Sequence, residues 1–330
     1  MRAQALAFRW LWLLTATAVA AAGCASLPHR SAERAPQPLP PELAAYYSYP
    51  EKPHDVTRTL LRDKGRYREY LVSFPLSYSG FEPTEPQVEF EWFESAAPGK
   101  RASIVFNPIL GGDYPLERGI CRFLASRGFH TAMVHRKTLK VSPDKPVEHI
   151  ELLLRQGIIR IRQVVDWMEV QENVDSERIG AFGISMGAIA TSILAATDPR
   201  IKAHVVALAG GSIADILESS NDKLLTKPIK RYLSQNKMDR AELNKRVRES
   251  IRTDPVLLAP YTDSRHMRMF IALADRTIGR ENSFRLWEAV GRPRVSLMPC
   301  GHYTAYLALP YLKYAGISFL SKELNQPVLE

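Results

Sequence analysis

A serine flanked by glycines stands between an apolar run and a run of small residues, at Gly183-Ile184-Ser185-Met186-Gly187. The preceding letters, RIGAFG, predict a buried strand, and the following letters, MGAIATSILAA, predict a helix. A turn this tight leaves no room for side chains beside the serine, which accounts for the two glycines. It would hold the Ser185 hydroxyl at the carboxyl end of the strand, beside the N-terminus of the helix. The alternative is a structural turn in which the serine has no chemical role.

From about residue 66 onward, strand-like and helical patterns alternate along the chain. Two runs with period-2 alternation, 67–74 and 88–94, predict an antiparallel entry to a sheet. Later strands read as continuous apolar runs, which is typical of buried parallel strands. The pattern predicts an α/β protein: a mostly parallel central sheet with helices on both faces. Between residues 212 and about 265 the sequence becomes polar and helix-rich, which predicts an inserted helical cap.

A serine hydroxyl becomes a useful nucleophile only when a base takes its proton. His302 lies on a short loop between the last predicted strand and the last predicted helix, where Gly301 would allow a sharp turn. Two other histidines follow the serine. His204 falls within a strand run, and His266 precedes a strand, which would place it at the opposite end of the sheet. We therefore predict His302 as the base.

The base needs an acid that holds its tautomer and stabilises the imidazolium. Asp275 follows the apolar run MFIALA, so it is expected at the carboxyl end of a strand between Ser185 and His302. Asp215 follows the preceding strand by a few residues and is the rival candidate. Asp254 and Asp263 precede the strand and fit less well. We predict Asp275 as the acid.

A hydrolytic site of this kind also needs N–H donors for the developing oxyanion. The backbone N–H of Met186, the residue after the serine, would be one donor. The second would come from the turn 108–115 after the strand ASIVFN. Pro108 has no N–H, so the second donor is either Ile109 or Leu110, and the sequence leaves this open.

These features resemble the α/β-hydrolase superfamily, and the resemblance covers about residues 66–322. It rests on the order of four parts along the chain: the oxyanion turn, the glycine-flanked serine, the acid after a strand and the Gly-His before the last helix. Asn107-Pro108 replaces the usual His-Gly of the oxyanion turn. The resemblance implies an α/β-hydrolase fold with an eight-stranded sheet, no metal, no organic cofactor and an acyl-serine intermediate.

The function that the resemblance implies is a serine hydrolase, in the first place a carboxylic-ester hydrolase acting on a small-molecule ester or a lipid. An acyltransferase, a thioesterase or a peptidase would use the same three side chains. A hydrolase-like envelope lipoprotein that only binds a ligand is a third possibility.

The first 23 residues form a separate segment. Arg2 and Arg9 precede an apolar run of twelve residues, 11–22. This run is shorter than the roughly 20 residues of a membrane-spanning helix. This is the pattern of a signal peptide. The following Ala-Ala-Gly-Cys-Ala-Ser resembles a bacterial lipobox, in which Cys24 would be lipidated and become the new N-terminus. A plain signal peptide cleaved at a neighbouring small residue is the alternative.

Residue 25 is alanine rather than aspartate, so the lipobox resemblance implies an outer-membrane lipoprotein facing the periplasm, held to the membrane surface by its lipid anchor. Residues 24–60 are rich in proline and polar residues and predict a tether. The hydrolase-like domain would occupy residues 61–330. Three tyrosines, Tyr46, Tyr47 and Tyr49, are unusual for a free linker and suggest packing on the domain.

The net charge of +9 is spread over 24% charged residues of both signs, so no nucleic-acid-binding arm is predicted. The segment 223–250 has nine Lys and Arg and three Asp and Glu, a net charge of +6, which fits either a solvated helical face or contact with anionic lipid. Three cysteines are too few for a disulfide framework. A disulfide between Cys121 and Cys300 is compatible with export, but the spacing of the cysteines does not indicate one. The sequence does not indicate the oligomeric state.

Overall fold

The computed structural model describes residues 25–27, 35–78, 85–135 and 142–329. The predicted signal peptide and Cys24 lie outside these residues. Within them the strands are β1 (Ala25–Leu27), β2 (Thr57–Asp63), β3 (Tyr67–Pro75), β4 (Gln87–Ser95), β5 (Arg101–Asn107), β6 (His130–Val134), β7 (Val174–Ile184), β8 (Ile201–Ala207), β9 (Met267–Ala272) and β10 (Arg294–Met298).

The helices come between these strands and after them. They are α1 (Pro41–Tyr46), α2 (Pro115–Ser126), α3 (His149–Glu169), α4 (Met186–Thr197), α5 (Ile213–Ser219), α6 (Lys223–Asn236), α7 (Arg240–Ser250), α8 (Pro255–Leu258), α9 (Arg280–Ala289) and α10 (Leu309–Glu323). Short 3-10 turns cover Ala259–Tyr261, Ser264–His266 and Thr304–Ala308.

The strands form one sheet in the order β1-β10-β9-β8-β7-β5-β6-β4-β3-β2. The six strands from β10 to β6 are parallel to one another, and β4, β3, β2 and β1 are antiparallel to their neighbours. The mostly parallel central sheet that the apolar runs predicted is therefore confirmed. Within the described residues the sheet has ten strands, two more than the eight that the resemblance implied.

Helices cover both faces of the sheet because side chains of each parallel strand alternate between two buried clusters. Ala181 of β7 belongs to the cluster under α3 and α4, and its neighbour Phe182 belongs to the cluster under α2 and α10. Both side chains are fully buried. This two-sided burial explains why the strands read as continuous apolar runs rather than as alternating ones.

The segment predicted as a tether packs on the domain over part of its length. Helix α1 lies within it, and Tyr47, directly after α1, is fully buried with its hydroxyl donating to Thr253 at 3.1 Å. Tyr49 donates to Asp166 at 2.7 Å. The backbone of β2, which begins at Thr57, pairs with β3. From about residue 41 onward, therefore, the chain is not free of the domain, as the three tyrosines suggested.

The segment between β8 and β9 consists of the helices α5 to α8 and two 3-10 turns, where the sequence predicted a helical cap. It leaves the sheet at its carboxyl edge, after Ala207, and returns to the opposite edge before Met267. Helices α5 and α6 thus lie over the edge at which β7 ends, directly before Ser185. None of the helices in the described residues is long and apolar enough to cross a membrane.

Candidate active site

Ser185 occupies the strained turn that its flanking glycines predicted. Its backbone has φ 55° and ψ −119°, a conformation that non-glycine residues seldom adopt. Its N–H donates to the Ala207 carbonyl at 2.8 Å, which ties the turn to the end of β8. A Cβ at Gly183 would overlap Gly187 and Thr191. The turn therefore excludes side chains at the two positions where the motif has glycine.

Three side chains that are far apart in the sequence form one chain of hydrogen bonds. His302 Nε2 lies 2.9 Å from Ser185 Oγ, and His302 Nδ1 lies 2.7 Å from Asp275 Oδ2. With Nδ1 donating to the carboxylate, Nε2 is the nitrogen that can accept the serine proton. The predicted base is thus within hydrogen-bonding distance of both the predicted serine and the predicted acid.

The Asp275 carboxylate is buried and held from both sides. Its second oxygen, Oδ1, accepts the backbone N–H groups of Thr277 at 2.8 Å and Ile278 at 2.9 Å. Burial raises the pKa of Asp275, but the hydrogen bond and charge of His302, together with the two N–H groups, lower it overall. The carboxylate is therefore ionised and oriented toward the imidazole at neutral pH.

The predicted oxyanion donors belong to two segments, the start of α4 and the turn after β5. Met186 is the first residue of α4, so its N–H belongs to the unpaired first turn of the helix. The turn after β5 is held by Asn107, whose fully buried side chain donates to Thr191 of α4 at 2.9 Å. Ile109, Leu110, Ser185 and Met186 line the same cavity.

Glu117 is an unexpected polar residue at this site. It lies in the first turn of α2, is only 3% exposed and lines the cavity with Ser185. Burial raises the pKa of the Glu117 carboxyl, and the backbone N–H groups of Glu117 itself and of Ile109 act in the opposite direction. The backbone N–H of Ile109 therefore interacts with the Glu117 carboxyl.

The cavity beside Ser185 has a volume of about 240 Å³ and mainly apolar walls. His302 and Ser185 lie in its lining. The cap contributes part of the wall, because α5 and α6 place apolar side chains against the cavity; these are Ile213, Ile216, Leu217, Leu224 and Leu225. The arrangement provides an apolar pocket beside a hydroxyl, an imidazole and a helix N-terminus.

The rival residues lie elsewhere. Asp215, in α5, forms ion pairs with Arg248 and Arg285. His204 is buried in β8, and burial lowers the pKa of its imidazole to about 4. His266 lies before β9 and contacts Glu323 at 2.8 Å. None of these three residues lines the cavity at Ser185, as the sequence predicted for the two histidines.

The described residues contain neither a Cys121–Cys300 disulfide nor a cluster of metal-ligating side chains. Cys121 is buried and Cys300 partly buried, and the two do not form a disulfide. Burial also raises the pKa of the Cys121 thiol, which disfavours the reactive thiolate. Among the residues that the structure describes, no three His, Cys, Asp or Glu side chains form a group that could hold a metal ion.

Three supporting residues were not predicted from the sequence. The side chains of Asn107 and Thr191 join β5 to α4, and no local pattern predicts this contact. Glu117 was not singled out at all. The one local signal for it was its place directly after Pro115-Leu116 at the start of a helix whose other inward positions are apolar.

No protein-family model matches the chain. Two curated relatives, both uncharacterized proteins of Mycobacterium tuberculosis strains, are 25% identical to it over 162 residues. The match covers 48% of this chain and 36% of each relative, so the chain aligns with little more than a third of their length.

Solved structures resemble the chain over most of its length. Acetyl xylan esterase from Paenibacillus sp. R4 matches with a TM-score of 0.65 at 16% identity, over 86% of this chain and 92% of that one. Acetyl xylan esterase 1 from Thermoanaerobacterium sp. JW/SL YS485 matches with a TM-score of 0.61 at 15% identity, over 86% and 96%. Pyrococcus horikoshii acylaminoacyl peptidase matches with a TM-score of 0.58 at 12% identity, over 86% and 51%. Together with the sheet order, these likenesses show that the chain has an α/β-hydrolase fold.

Proposed function

We propose that the chain is a serine hydrolase that cleaves carboxylic esters through an acyl-serine intermediate. One observation carries the proposal: the unbroken line of hydrogen bonds from Ser185 through His302 to Asp275, with the serine on a strained turn in the lining of a cavity. A structural turn would not need a base and an ionised acid aligned behind its serine. The fold that the chain shares with esterases agrees with this reading.

In the proposed reaction, His302 Nε2 takes the proton of Ser185 as Oγ attacks the ester carbonyl carbon. The carbonyl oxygen becomes an oxyanion, and Asp275 stabilises the imidazolium through Nδ1. The imidazolium then gives its proton to the leaving alkoxide, and the carbon–oxygen bond of the ester breaks. Water, deprotonated by His302, attacks the acyl-serine in the same way and releases the acid.

We assign the two oxyanion donors to the backbone N–H groups of Met186 and Leu110. Met186 is at the first turn of α4, where the helix dipole also favours negative charge. Pro108 has no N–H, and the N–H of Ile109 interacts with the Glu117 carboxyl, whose pKa it lowers. Leu110 is the remaining candidate of the pair that the sequence left open, and it lines the cavity.

The cavity favours an acyl or alcohol group that is apolar. Its walls are largely aliphatic, and the polar side chains in its lining include the two that react, Ser185 and His302. Removing apolar surface from water contributes about 25 cal/mol per Å², so an ester with an aliphatic chain gains more from this pocket than an acetate does. A lipid or a medium-chain ester is therefore the substrate class that we propose.

We also propose that the enzyme is an envelope lipoprotein, attached through Cys24 to the outer membrane and facing the periplasm. The support is the sequence alone: the basic start, the apolar run of twelve residues and the lipobox-like segment before Cys24. Growth with an alkyne-labelled fatty acid should label the wild-type chain and not Cys24→Ser. Equal labelling of both chains, or labelling of neither, would contradict this part of the proposal.

The catalytic proposal is tested with Ser185→Ala on a series of p-nitrophenyl esters of increasing acyl length. We expect turnover to fall by about 10⁴-fold or more, since loss of a catalytic serine costs of that order or above. A fluorophosphonate probe should label the wild type at Ser185. Ser192→Ala is the matched control, because Ser192 lies about two turns into the helix that follows Ser185, is buried and donates its hydroxyl to the Ala188 carbonyl.

The proposal fails if the wild type and Ser185→Ala are equally inactive on all esters and the probe does not label Ser185. Labelling in both Ser185→Ala and the wild type would place the reactive serine elsewhere. Product analysis with competing alcohol and amine acceptors measures whether water is the acceptor.

A further inference from the structure

Exposed apolar side chains surround the opening of the cavity. In the described chain, fifteen large apolar side chains are exposed, and five of them also line the cavity of Ser185. They come from four parts of the chain: the turn after β5, the start of α2, the start of α6 and the 3-10 turn after His302. We call them the apolar rim: Ile109, Leu116, Leu224, Tyr303 and Tyr306, which are 36%, 51%, 63%, 64% and 60% exposed.

An apolar rim of this kind does not serve the fold. Exposed apolar residues are common when scattered, but a group gathered around one opening marks a surface that meets something apolar. The rim also continues into the apolar wall of the cavity, so a molecule could pass from the surface to Ser185 without crossing a polar zone. The surface that the rim contacts is therefore expected to be one from which the substrate enters.

Positive charge lies beside the rim on α6. Lys227 and Arg231 follow Leu224 at three and seven positions, so the three residues share one face of the helix. All three are exposed, and neither cation pairs with a carboxylate in the part of the chain that the structure describes. Asp222, which lines the cavity, already accepts from the hydroxyl of Tyr303 and the N–H of Leu224. The face next to the rim is therefore suited to an apolar layer bordered by anions.

The direction of β1 agrees with this orientation. Ala25 pairs with Leu297 and Leu27 with Val295, antiparallel to β10. The first residue of β1 is thus at the carboxyl end of β10, the edge of the sheet that also carries Ser185 and His302. The chain enters the sheet on the side of the cavity mouth, so an attachment to a membrane before Ala25 would be on that side too.

From these observations we propose that the apolar rim, with Lys227 and Arg231, docks the mouth of the cavity onto the surface of an anionic lipid bilayer. Leu116, Leu224 and the two tyrosines would insert at the level of the headgroups, as amphipathic surfaces do. The two cations would lie against lipid phosphates. An ester dissolved in the bilayer would then reach Ser185 directly from the lipid.

The experiment measures which residues touch lipid, in the absence of any substrate. Leu224→Cys and, as a matched control, Val170→Cys are labelled with the fluorophore NBD in the full chain. Val170 is 70% exposed and follows α3, whose C-terminus leads into the start of β7 at the other end of the sheet. The labelled wild type gives the signal of the native cysteines, which is subtracted. Vesicles contain phosphatidylcholine with or without phosphatidylglycerol.

We expect the label at residue 224 to shift to the blue and to be quenched by spin-labelled lipid on vesicles with phosphatidylglycerol, and the label at residue 170 to remain in water. Lys227→Gln and Arg231→Gln should each lower the binding constant for these vesicles about fivefold, in line with the attraction of one cation to an anionic surface. On phosphatidylcholine alone the two substitutions should have no effect.

Equal quenching at residues 224 and 170, or quenching at neither, overturns the proposal. A concentration-dependent blue shift at residue 224 without vesicles overturns it in favour of a second copy of the chain on the rim. Because no ester is hydrolysed in this measurement, its outcome is independent of the proposed function: a chain that docks but is inactive refutes only the latter.

Discussion

Gly187 packs directly against the carbonyl oxygen of Asn107, so closely that a Cβ on Gly187 would overlap it. The contact joins the first turn of α4, which carries Met186, to the turn that carries Ile109 and Leu110. The second glycine of the motif thus serves the approach of two backbone segments and not only the conformation of the serine. Both proposed oxyanion donors depend on this approach.

Gly187→Ala is expected to lower both stability and turnover. Forcing a methyl group into a filled site typically costs about 1–3 kcal/mol, and the strain can be relieved only by moving the turn after β5 away from α4. Urea unfolding gives the loss of stability, and hydrolysis of a p-nitrophenyl ester by the same preparation gives the loss of turnover.

Gly157→Ala is the control for this substitution. Gly157 lies inside α3, and a Cβ there would meet no atom within 4 Å. Alanine is a better helix former than glycine by about 1 kcal/mol, so this variant should be as stable as the wild type or more so, with unchanged turnover. If Gly187→Ala behaves in the same way as Gly157→Ala, the contact with Asn107 has no consequence.

Asp275→Asn is expected to lower turnover by about 10⁴-fold with little change in KM. One side of the Asp275 carboxylate accepts two backbone N–H groups and the other accepts His302 Nδ1. An asparagine oxygen can satisfy only one side, and its NH₂ group on the other would favour the wrong histidine tautomer, which costs about 10⁴ in kcat in a comparable triad. Steady-state kinetics on one ester measure the effect.

Asp215→Asn distinguishes the two candidate acids. Asp215 pairs with Arg248 and Arg285 on the surface of the cap and does not line the cavity. Its substitution should leave kcat within a factor of about two. A large loss with Asp215→Asn and a small one with Asp275→Asn would reverse our assignment of the acid.

The sequence predicted the parallel part of the fold and the three clustered side chains because both follow from position along a strand. Ser185, Asp275 and His302 each follow the end of a strand by at most four residues, and the carboxyl ends of parallel strands meet at one edge. Local order along the chain was therefore enough to bring these three residues together without any knowledge of distances.

The first two strands, β1 and β2, and the supporting residues could not be predicted in this way. All seven residues of β2 are exposed, including Leu60 and Leu61, so the strand is held by its backbone pairing with β3 and shows no alternation of apolar and polar residues. Glu117 is buried because of where α2 meets the turn after β5, and a contact between segments leaves no local pattern in the sequence.

Stability is expected to fall as the pH falls from about 6.5 toward 4, in part because of His130. This imidazole is fully buried, and burial lowers its pKa to about 4. Its Nδ1 accepts the Ser95 N–H at 3.1 Å, so the folded state holds it neutral. The unfolded chain binds a proton near pH 6.5, so each pH unit below that value costs up to about 1.4 kcal/mol until the folded pKa is reached.

His130→Gln tests this contribution, since glutamine keeps a donor and an acceptor but does not titrate. Urea unfolding at pH 7, 6 and 5 should show that the variant is less stable than the wild type at pH 7 and that the difference shrinks on acidification. Burial lowers the pKa of His135, but Glu91 and Glu89 raise it overall. The stability that His135 contributes is therefore lost as the pH rises, which is the opposite direction to the loss at His130. A difference between variant and wild type that is constant from pH 7 to 5 would contradict the role of His130.

Glu117→Ala is expected to lower kcat by about tenfold or more without a matching change in KM. The backbone N–H of Ile109 interacts with the Glu117 carboxyl, and we expect this interaction to position the turn next to Leu110. An unpaired buried N–H costs about 1–3 kcal/mol, and the turn can recover this only by shifting. Loss of one oxyanion donor costs about 10²–10³ in kcat, so partial displacement of Leu110 should cost less. Glu117→Gln, which keeps an oxygen acceptor of the same reach, should retain most of the activity; equal kcat values for the alanine and glutamine variants would show that the interaction with Ile109 does not position the oxyanion turn.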